Sequence, residues 1–332
     1  MHYESLAIFK FGALGDVVRT SYFIEPLVKE YHIQDVTWIT QSNSFDLLRF
    51  NPYINKIVRH GVDAAPLTAD LVISLDDELE SVSLASKMNY RNFIGAILKD
   101  DVISYTDSAC EWFDMGLISK HGKTKADQLK KANQRSHAEI FSSMLGVSQV
   151  QPRFYGNPIL EERAQLSRQT DKFVLGLNCF AGSRWKSKEM PTQELQQLME
   201  LLKEDLQRRF STDYKIWIFS DASSRARAES LFAEDSSIVI CDTGRSVLDY
   251  AAKIKACDFI ISTDSLGLHL AISQAVPNIS FYAPTSAAEI DTFGTGTKLT
   301  SSTDDYCSYS VNADNSSITA NKIFGMFVNT LL

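Results

Sequence analysis

The stretch Ile261-Ser-Thr-Asp-Ser-Leu-Gly-Leu-His-Leu-Ala271 decides how this chain is read. It is the tail of an apolar run, Asp258-Phe-Ile-Ile-Ser-Thr263, that reads as a buried parallel strand. The run breaks at Asp264-Ser265 and resumes as a helix from Leu266 to about Gln274. An acid, a hydroxyl, Gly267 and His269 therefore fall where a strand feeds a helix. In an open α/β sheet that turn faces the ligand crevice. The helix N-terminus there brings free N–H groups and a partial positive charge, which suit phosphate. Near the start of the chain a matching turn, Gly12-Ala-Leu-Gly-Asp16, follows the first strand.

Outward from these two turns the chain alternates strand and helix. Residues 5–11, 36–40, 54–58 and 71–75 read as strands, and Val17 to Tyr31 has apolar spacing suited to a helix. Residues 92–146 are less regular, with a helix-like segment from Ala126 to Leu145. A polar stretch from Val147 to Thr170, holding Pro152, Gly156 and Pro158, reads as a linker. After it come strands at 173–177, 214–219, 238–241, 259–262 and 279–282. The helices between and after them fall at 191–210, 224–232, 247–256 and 266–274, and the closing segment, 318–332, is apolar at helical spacing. This alternation predicts parallel sheets with helices on both faces, in two Rossmann-like halves. The first half is residues 1–155 and the second 171–312, with a terminal helix in 313–332.

A chain of 332 residues suits two domains, and 44% hydrophobic with 22% charged residues is an ordinary globular composition. A net charge of −8 without a long basic run argues against nucleic acid as a partner. The lysines between Lys123 and Lys131 read first as a solvated helix face; contact with an anionic lipid surface is the sharper alternative. Five cysteines without CxxC or zinc-like spacing suggest reduced thiols and a cytoplasmic setting. The apolar run Leu6–Phe9 is too short for a signal peptide, and no window is long and apolar enough for a membrane span, so any membrane contact is expected to be peripheral.

Three sites offer chemistry. The first turn is not a dinucleotide fingerprint: its glycines stand at positions one and four, and the second strand ends at Thr40-Gln41 without a ribose-binding acid. Asp16 reads either as a helix cap or as a general base at a crevice mouth. The second site, Ala181-Gly-Ser-Arg-Trp-Lys-Ser-Lys-Glu-Met-Pro191, combines Gly182, the Ser183 hydroxyl and the cations Arg184, Lys186 and Lys188. A cation there stabilises charge on a departing diphosphate; an exposed basic loop is the plain alternative. At the third, Asp264 reads either as another helix cap or, because a carboxylate repels phosphate, as a ligand of sugar hydroxyls, leaving phosphate to Ser265 and the N–H groups near Gly267. His269 follows Ser265 by four residues and shares its helix face, although a lone histidine in an apolar helix is more often a packing residue.

These residues carry a family likeness. The chain resembles the bacterial heptosyltransferases of the lipopolysaccharide inner core, glycosyltransferase family 9. Phe11-Gly-Ala-Leu-Gly-Asp-Val-Val-Arg-Thr20 is similar to the family's opening motif, with Asp16 at the position of its proposed catalytic base. Lys188-Glu-Met-Pro191 resembles its Lys-x-Trp-Pro, and Asp264-Ser-Leu-Gly-Leu-His-Leu-Ala271 resembles its Asp-Thr/Ser-Gly-Leu-x-His-Leu-Ala. The segment from Ala275-Val-Pro277 to Tyr282-Ala-Pro-Thr285 matches the strand and turn that follow. Two departures stand out. Glycine comes one position later, at Gly267, and Ser220-Asp-Ala-Ser-Ser224 replaces a Gly-rich turn with its nucleotide-sugar-binding glutamate, leaving Asp221 as the candidate substitute.

The resemblance implies a GT-B architecture, two Rossmann-like domains facing across a cleft, with the terminal helix crossing back to the first. It also implies a metal-independent, inverting transfer from ADP-heptose to a lipid-linked saccharide, at the inner face of the inner membrane. In that reading Asp16 and Lys188 are catalytic. Gly182, Ser183, Lys186, Asp264, Ser265, Gly267 and His269 bind the nucleotide sugar, and Gly12, Gly15 and Arg19 lie on the acceptor side. No metal or cofactor is expected. A GT-B-type nucleotide-sugar epimerase and a non-catalytic sugar-nucleotide binder are the alternative readings.

Overall fold

The computed structural model describes residues 2–148, 150–168, 172–181, 185–232 and 235–330. The chain divides into two compact units, Met1–Tyr155 with Ala288–Asp291, and Gly156–Ala287 with Thr292–Leu332. In the first, strands β1 (Ser5–Phe9), β2 (Asp35–Thr40), β3 (Lys56–Arg59), β4 (Thr68–Ser74), β5 (Asn89–Lys99) and β6 (Val102–Tyr105) form one sheet in the order β3-β2-β1-β4-β5-β6. In the second, β7 (Phe173–Asn178), β8 (Tyr214–Ser220), β9 (Ile238–Asp242), β10 (Phe259–Thr263), β11 (Asn278–Tyr282) and β12 (Gly296–Thr300) lie in the order β12-β11-β10-β7-β8-β9. Strand order therefore reverses between β1 and β4 in one sheet and between β7 and β10 in the other. Those reversals are where an open α/β sheet leaves a crevice at its carboxyl edge.

Each sheet is held by its own core. Ala7, Phe9, Ile39, Val58, Val72 and Phe93 cluster in the first unit. In the second, the helix Thr192–Phe210 sets Leu195, Leu198, Leu202 and Leu206 at spacings of three and four, one apolar stripe against Ile216, Ile218 and Ile261. The last helix, Ala320–Thr330, buries Ile323 and Phe327 in that same core, with the Phe327 and Phe259 rings 5.3 Å apart. This helix thus belongs to the second unit, where the family resemblance implied a crossing back. From beyond Ala287 it is Ala288–Asp291 that joins the first unit, where the Glu289 carbonyl accepts the His137 N–H at 2.8 Å. Among the described residues no helix is long and apolar enough to cross a membrane.

The fold departs from the sequence pattern at several places. Where one helix is expected from Val17 to Tyr31 there are two, Leu14–Ser21 and Ile24–Tyr31. Pro26 explains the break, because it lacks an N–H and its ring collides with the carbonyl four residues back, at Tyr22. The irregular region hides an antiparallel hairpin, with Lys99 opposite Val102 in β5–β6. Asp100 and Asp101 turn it at φ of 49° and 61°, the left-handed pair that a two-residue hairpin requires. The linker contains a helix, Pro158–Ser167, started by the Asn157 side chain and by proline in the first turn.

The segment from Ala126 to Leu145 is likewise two helices, Lys123–Ala132 and His137–Leu145. Asn133 bonds its side chain to Arg135 rather than continuing the first. Ser136 opens the second with a reciprocal capping box to Glu139. Ser136→Ala should cost about 1 kcal/mol, read as a lower urea midpoint at unchanged slope; an unchanged midpoint would mean the box contributes nothing.

Candidate functional site

The first reversal point gathers charge. Lys10 follows β1 and Asp76 follows β4, and because those strands are neighbours their ends meet. Asp76, 3% exposed, accepts from Lys10 Nζ at 2.8 Å, from the backbone N–H groups of Phe11 at 2.5 Å and Gly12 at 3.1 Å, and from the Ser81 hydroxyl at 2.8 Å. One buried carboxylate therefore fixes the entry to the Gly12–Asp16 turn. Gly12 gives its N–H inward to Asp76, so its part is to shape the turn. Gly15 is buried in the first turn of the helix Leu14–Ser21.

Asp16 lies in that same first turn, where the helix dipole favours a carboxylate. The N-cap residue of that helix is Ala13, which offers no side-chain cap. The Asp16 Oδ1 sits 2.9 Å from Arg19 Nη2, and the Asp16 side chain keeps 35% exposure. The Arg19 guanidinium lies over the Trp112 ring, 5.6 Å from its centre, and Trp112 packs edge-on against His137 and Phe141. Burial works to strip the proton from Lys10, but the fields of Asp76 and Asp16 outweigh it and raise its pKa above the ordinary value. The result is a partly exposed carboxylate flanked by two cations.

The second reversal point pairs residues that the sequence had placed in different roles. Lys188 Nζ lies 3.0 Å from Asp264 Oδ2 and 2.9 Å from the Asp264 carbonyl. His269 Nε2 is 3.9 Å from Asp264 Oδ1. All three side chains are largely buried. Burial alone would raise the Asp264 pKa; the charges of Lys188 and His269, with the Thr285 hydroxyl, outweigh it and bring it down to about 2. Asp264 is thus an ionised partner of Lys188 rather than a carboxylate left wholly to sugar hydroxyls or a helix cap.

Lys186 takes another direction, 3.1 Å from the buried Glu189. Glu189 also accepts from the Ala181 N–H at 3.0 Å and from Arg227 at 2.5 Å. It closes the ends of the basic loop and takes up the Lys186 charge, so Lys188 is the lysine in the Asp264–His269 cluster. Gly182 and Ser183 lie outside the described residues. Asp221, the candidate substitute for a sugar-binding glutamate, turns Oδ1 to the N–H and hydroxyl groups of Ser223 and Ser224, where it shapes the approach to the helix Arg225–Phe232.

Ser265 and Gly267 begin the helix Leu266–Ser273, but Gly267 is packed rather than open. A Cβ on it would fall inside the Tyr250 hydroxyl and within 2.5 Å of Asn178 Nδ2. Glycine at this position therefore has a packing reason, which does not bear on its backbone N–H. The Ser265 hydroxyl accepts from Asn178 Nδ2 at 2.8 Å.

Lys10, Asp76, Asn178, Glu189, Arg227 and Tyr250 were not singled out in the sequence. For Lys10, Asp76 and Asn178 a signal existed: each is a polar residue at the carboxyl end of an apolar strand. Glu189 and Arg227 meet only through the fold, which brings helix Arg225–Phe232 onto the loop.

A profile of the family described as glycosyltransferase family 9 (heptosyltransferase) matches residues 68–318, more than half of the chain and the whole of the second cluster. No curated protein sequence matches. Among solved structures, the glycosyl transferase family 9 protein from Veillonella parvula DSM 2008 superposes with a TM-score of 0.77 at 17% identity, over 100% of this chain and 98% of that one. E. coli ADP-heptose LPS heptosyltransferase II gives 0.66 at 12% identity, over 99% and 98%. E. coli heptosyltransferase WaaC with ADP gives 0.63 at 14%, over 98% of each chain. The two parallel-sheet units thus have the GT-B fold of these structures.

Proposed function

Because the chain belongs to glycosyltransferase family 9, we propose that it moves a heptose from ADP-heptose to a saccharide acceptor of the lipopolysaccharide-core type, with inversion and without a metal. The observation that carries this reading is the buried Lys188–Asp264–His269 cluster at the β7/β10 reversal, inside the matched region. Two N–H bonds of the Lys188 ammonium go to Asp264, and an ammonium has three. The third is assigned to an oxygen of the leaving diphosphate, where a fixed cation stabilises the charge that grows as the bond breaks. The free N–H groups of the helix Leu266–Ser273 add to it. Asp264, held ionised, keeps Oδ1 for hydroxyls of the sugar. Asp16 takes the proton of the acceptor hydroxyl as that oxygen attacks the anomeric carbon, and Arg19 holds the carboxylate in place. The acceptor is a lipid head group presented at the inner membrane surface to a cytoplasmic, peripherally bound enzyme.

That E. coli WaaC was solved with ADP, and with ADP-2-deoxy-2-fluoro heptose, supports an adenine nucleotide. Thermal unfolding with ADP, UDP, GDP and ADP-heptose, each with and without Mg²⁺, tests the assignment. A ligand at 100 times its Kd should add ~2.7 kcal/mol of stability. Stabilisation by ADP and ADP-heptose without Mg²⁺ is the expected result. A preference for UDP or GDP would replace the donor, and a strict Mg²⁺ requirement would overturn the metal-free reading.

A further inference from the structure

Beneath the Ser265 turn lies a buried polar chain that the transfer mechanism does not use. Asn178, the last residue of β7, is 5% exposed, and so is Tyr250 of the helix Val247–Lys255. The Tyr250 hydroxyl donates to Asn178 Oδ1 at 2.8 Å. Burial pushes the Tyr250 phenol far above its ordinary pKa, so it stays a donor. With Oδ1 committed as the acceptor, the amide must turn its Nδ2 the other way, and both of its N–H bonds are used: one to Ser262 Oγ and one to Ser265 Oγ, each at 2.8 Å.

The two serines then differ. Ser262 is fully buried and gives its own proton to the Thr263 carbonyl at 2.7 Å. Ser265 is half-buried, and its hydroxyl reaches that same carbonyl only at 3.4 Å, a long bond beside the 2.7 Å one from Ser262. Nor does the Ser265 side chain cap its helix. Its oxygen accepts from Asn178 behind it, and its O–H, held only by that long bond, is the donor at the end of the chain. Gly267 is what lets the relay fit, since any side chain there would displace Tyr250 and Asn178.

We propose that Tyr250 and Asn178 are positioning residues that set the Ser265 hydroxyl as a proton donor to the diphosphate of the nucleotide sugar. This rests on the reading of the Ser265 turn as the diphosphate site. Neither residue touches the ligand; each acts through Ser265. The relay also accounts for the late glycine of the motif, because a glycine directly after Ser265 would not clear the Tyr250–Asn178 bond.

The test is a double-mutant cycle read by ADP affinity in the full-length protein, with inorganic pyrophosphate as a second probe. Ser265→Ala should weaken ADP by about tenfold, the loss of one hydrogen bond to a charged acceptor. Tyr250→Phe, nearly isosteric, should weaken it about fivefold. On the Ser265→Ala background Tyr250→Phe should cost less than about twofold, because its effect has no remaining route. Ser265→Thr, which keeps the hydroxyl, should restore the sensitivity to Tyr250→Phe. Independent, additive losses would overturn the relay, as would a Tyr250→Phe variant with wild-type affinity. Should Tyr250→Phe fold poorly, Asn178→Leu, of similar shape and without charge, takes its place in the cycle with the same criterion. A wild-type protein that binds neither pyrophosphate nor any nucleoside diphosphate would remove the diphosphate reading itself and the relay with it, an outcome distinct from binding without coupling.

Discussion

Asp16→Asn should lower turnover by about 10²- to 10⁴-fold, the range associated with loss of a general base, while ADP still stabilises the protein as it does the wild type. The substitution keeps the shape of the side chain and an oxygen for Arg19, and removes the negative charge and with it the basicity. The local fold should hold, because the turn is fixed by Asp76 through the N–H groups of Phe11 and Gly12 and by its ion pair with Lys10, none of which involves Asp16. Arg19 keeps its place over Trp112. The loss should therefore fall on kcat, with the KM for the nucleotide sugar little changed. ADP release with a saturating acceptor gives the rate, and thermal unfolding with ADP gives the binding. Turnover within tenfold of wild type would remove Asp16 as the base and leave the carboxylate a structural partner of Arg19. Product formed by the wild type without acceptor would instead point to an epimerase.

The two turns were legible because each combines a period change with residues that neither a strand nor a helix interior favours. Asp264 after Phe-Ile-Ile-Ser-Thr, and Gly12 after an apolar strand, mark carboxyl ends, and carboxyl ends at a reversal of strand order are where sheets bind ligands. What sequence could not give was who meets whom. Lys188 and Asp264 are 76 residues apart and become one ion pair only when β7 and β10 are neighbours. Read separately, the lysine goes to phosphate and the acid to sugar; the fold adds an ion pair between them that neither turn shows alone. The packing at Gly267 was hidden for the same reason, since what excludes a side chain there is Tyr250, reached through a different helix. The missed hairpin was a local failure: two left-handed aspartates, Asp100 and Asp101, make a turn usually signalled by glycine or asparagine. The helix Pro158–Ser167, by contrast, carries its own local signal, for Asn157-Pro158 is a helix start.

Lys188→Met should damage stability as well as transfer, and the two losses can be separated. Asp264 has its side chain only 13% exposed, and Lys188 supplies both an ion pair and a hydrogen bond to its carboxylate. Removing one partner of such a pair leaves a charge that burial disfavours, at about 3 kcal/mol. His269, at 3.9 Å from the other carboxylate oxygen, is too distant to replace it fully. The acid limb of stability carries a second signature. The Asp264 pKa is held at about 2 against an ordinary 3.8, so its contribution is complete above the ordinary value and is lost as pH falls through about 2. In Lys188→Met burial prevails, the carboxyl titrates at higher pH, and that part of the acid limb vanishes. The double variant Lys188→Met/Asp264→Asn, with no charge left to strand, should recover most of the stability at pH 7 and none of the activity. Urea unfolding at pH 7, repeated down to about pH 2, measures the first effect, and ADP release the second. A single variant as stable as wild type would mean that the pair does not hold the turn. A double variant that regains turnover would mean that neither residue stabilises the leaving diphosphate, and the chemistry would have to be sought elsewhere in the second unit.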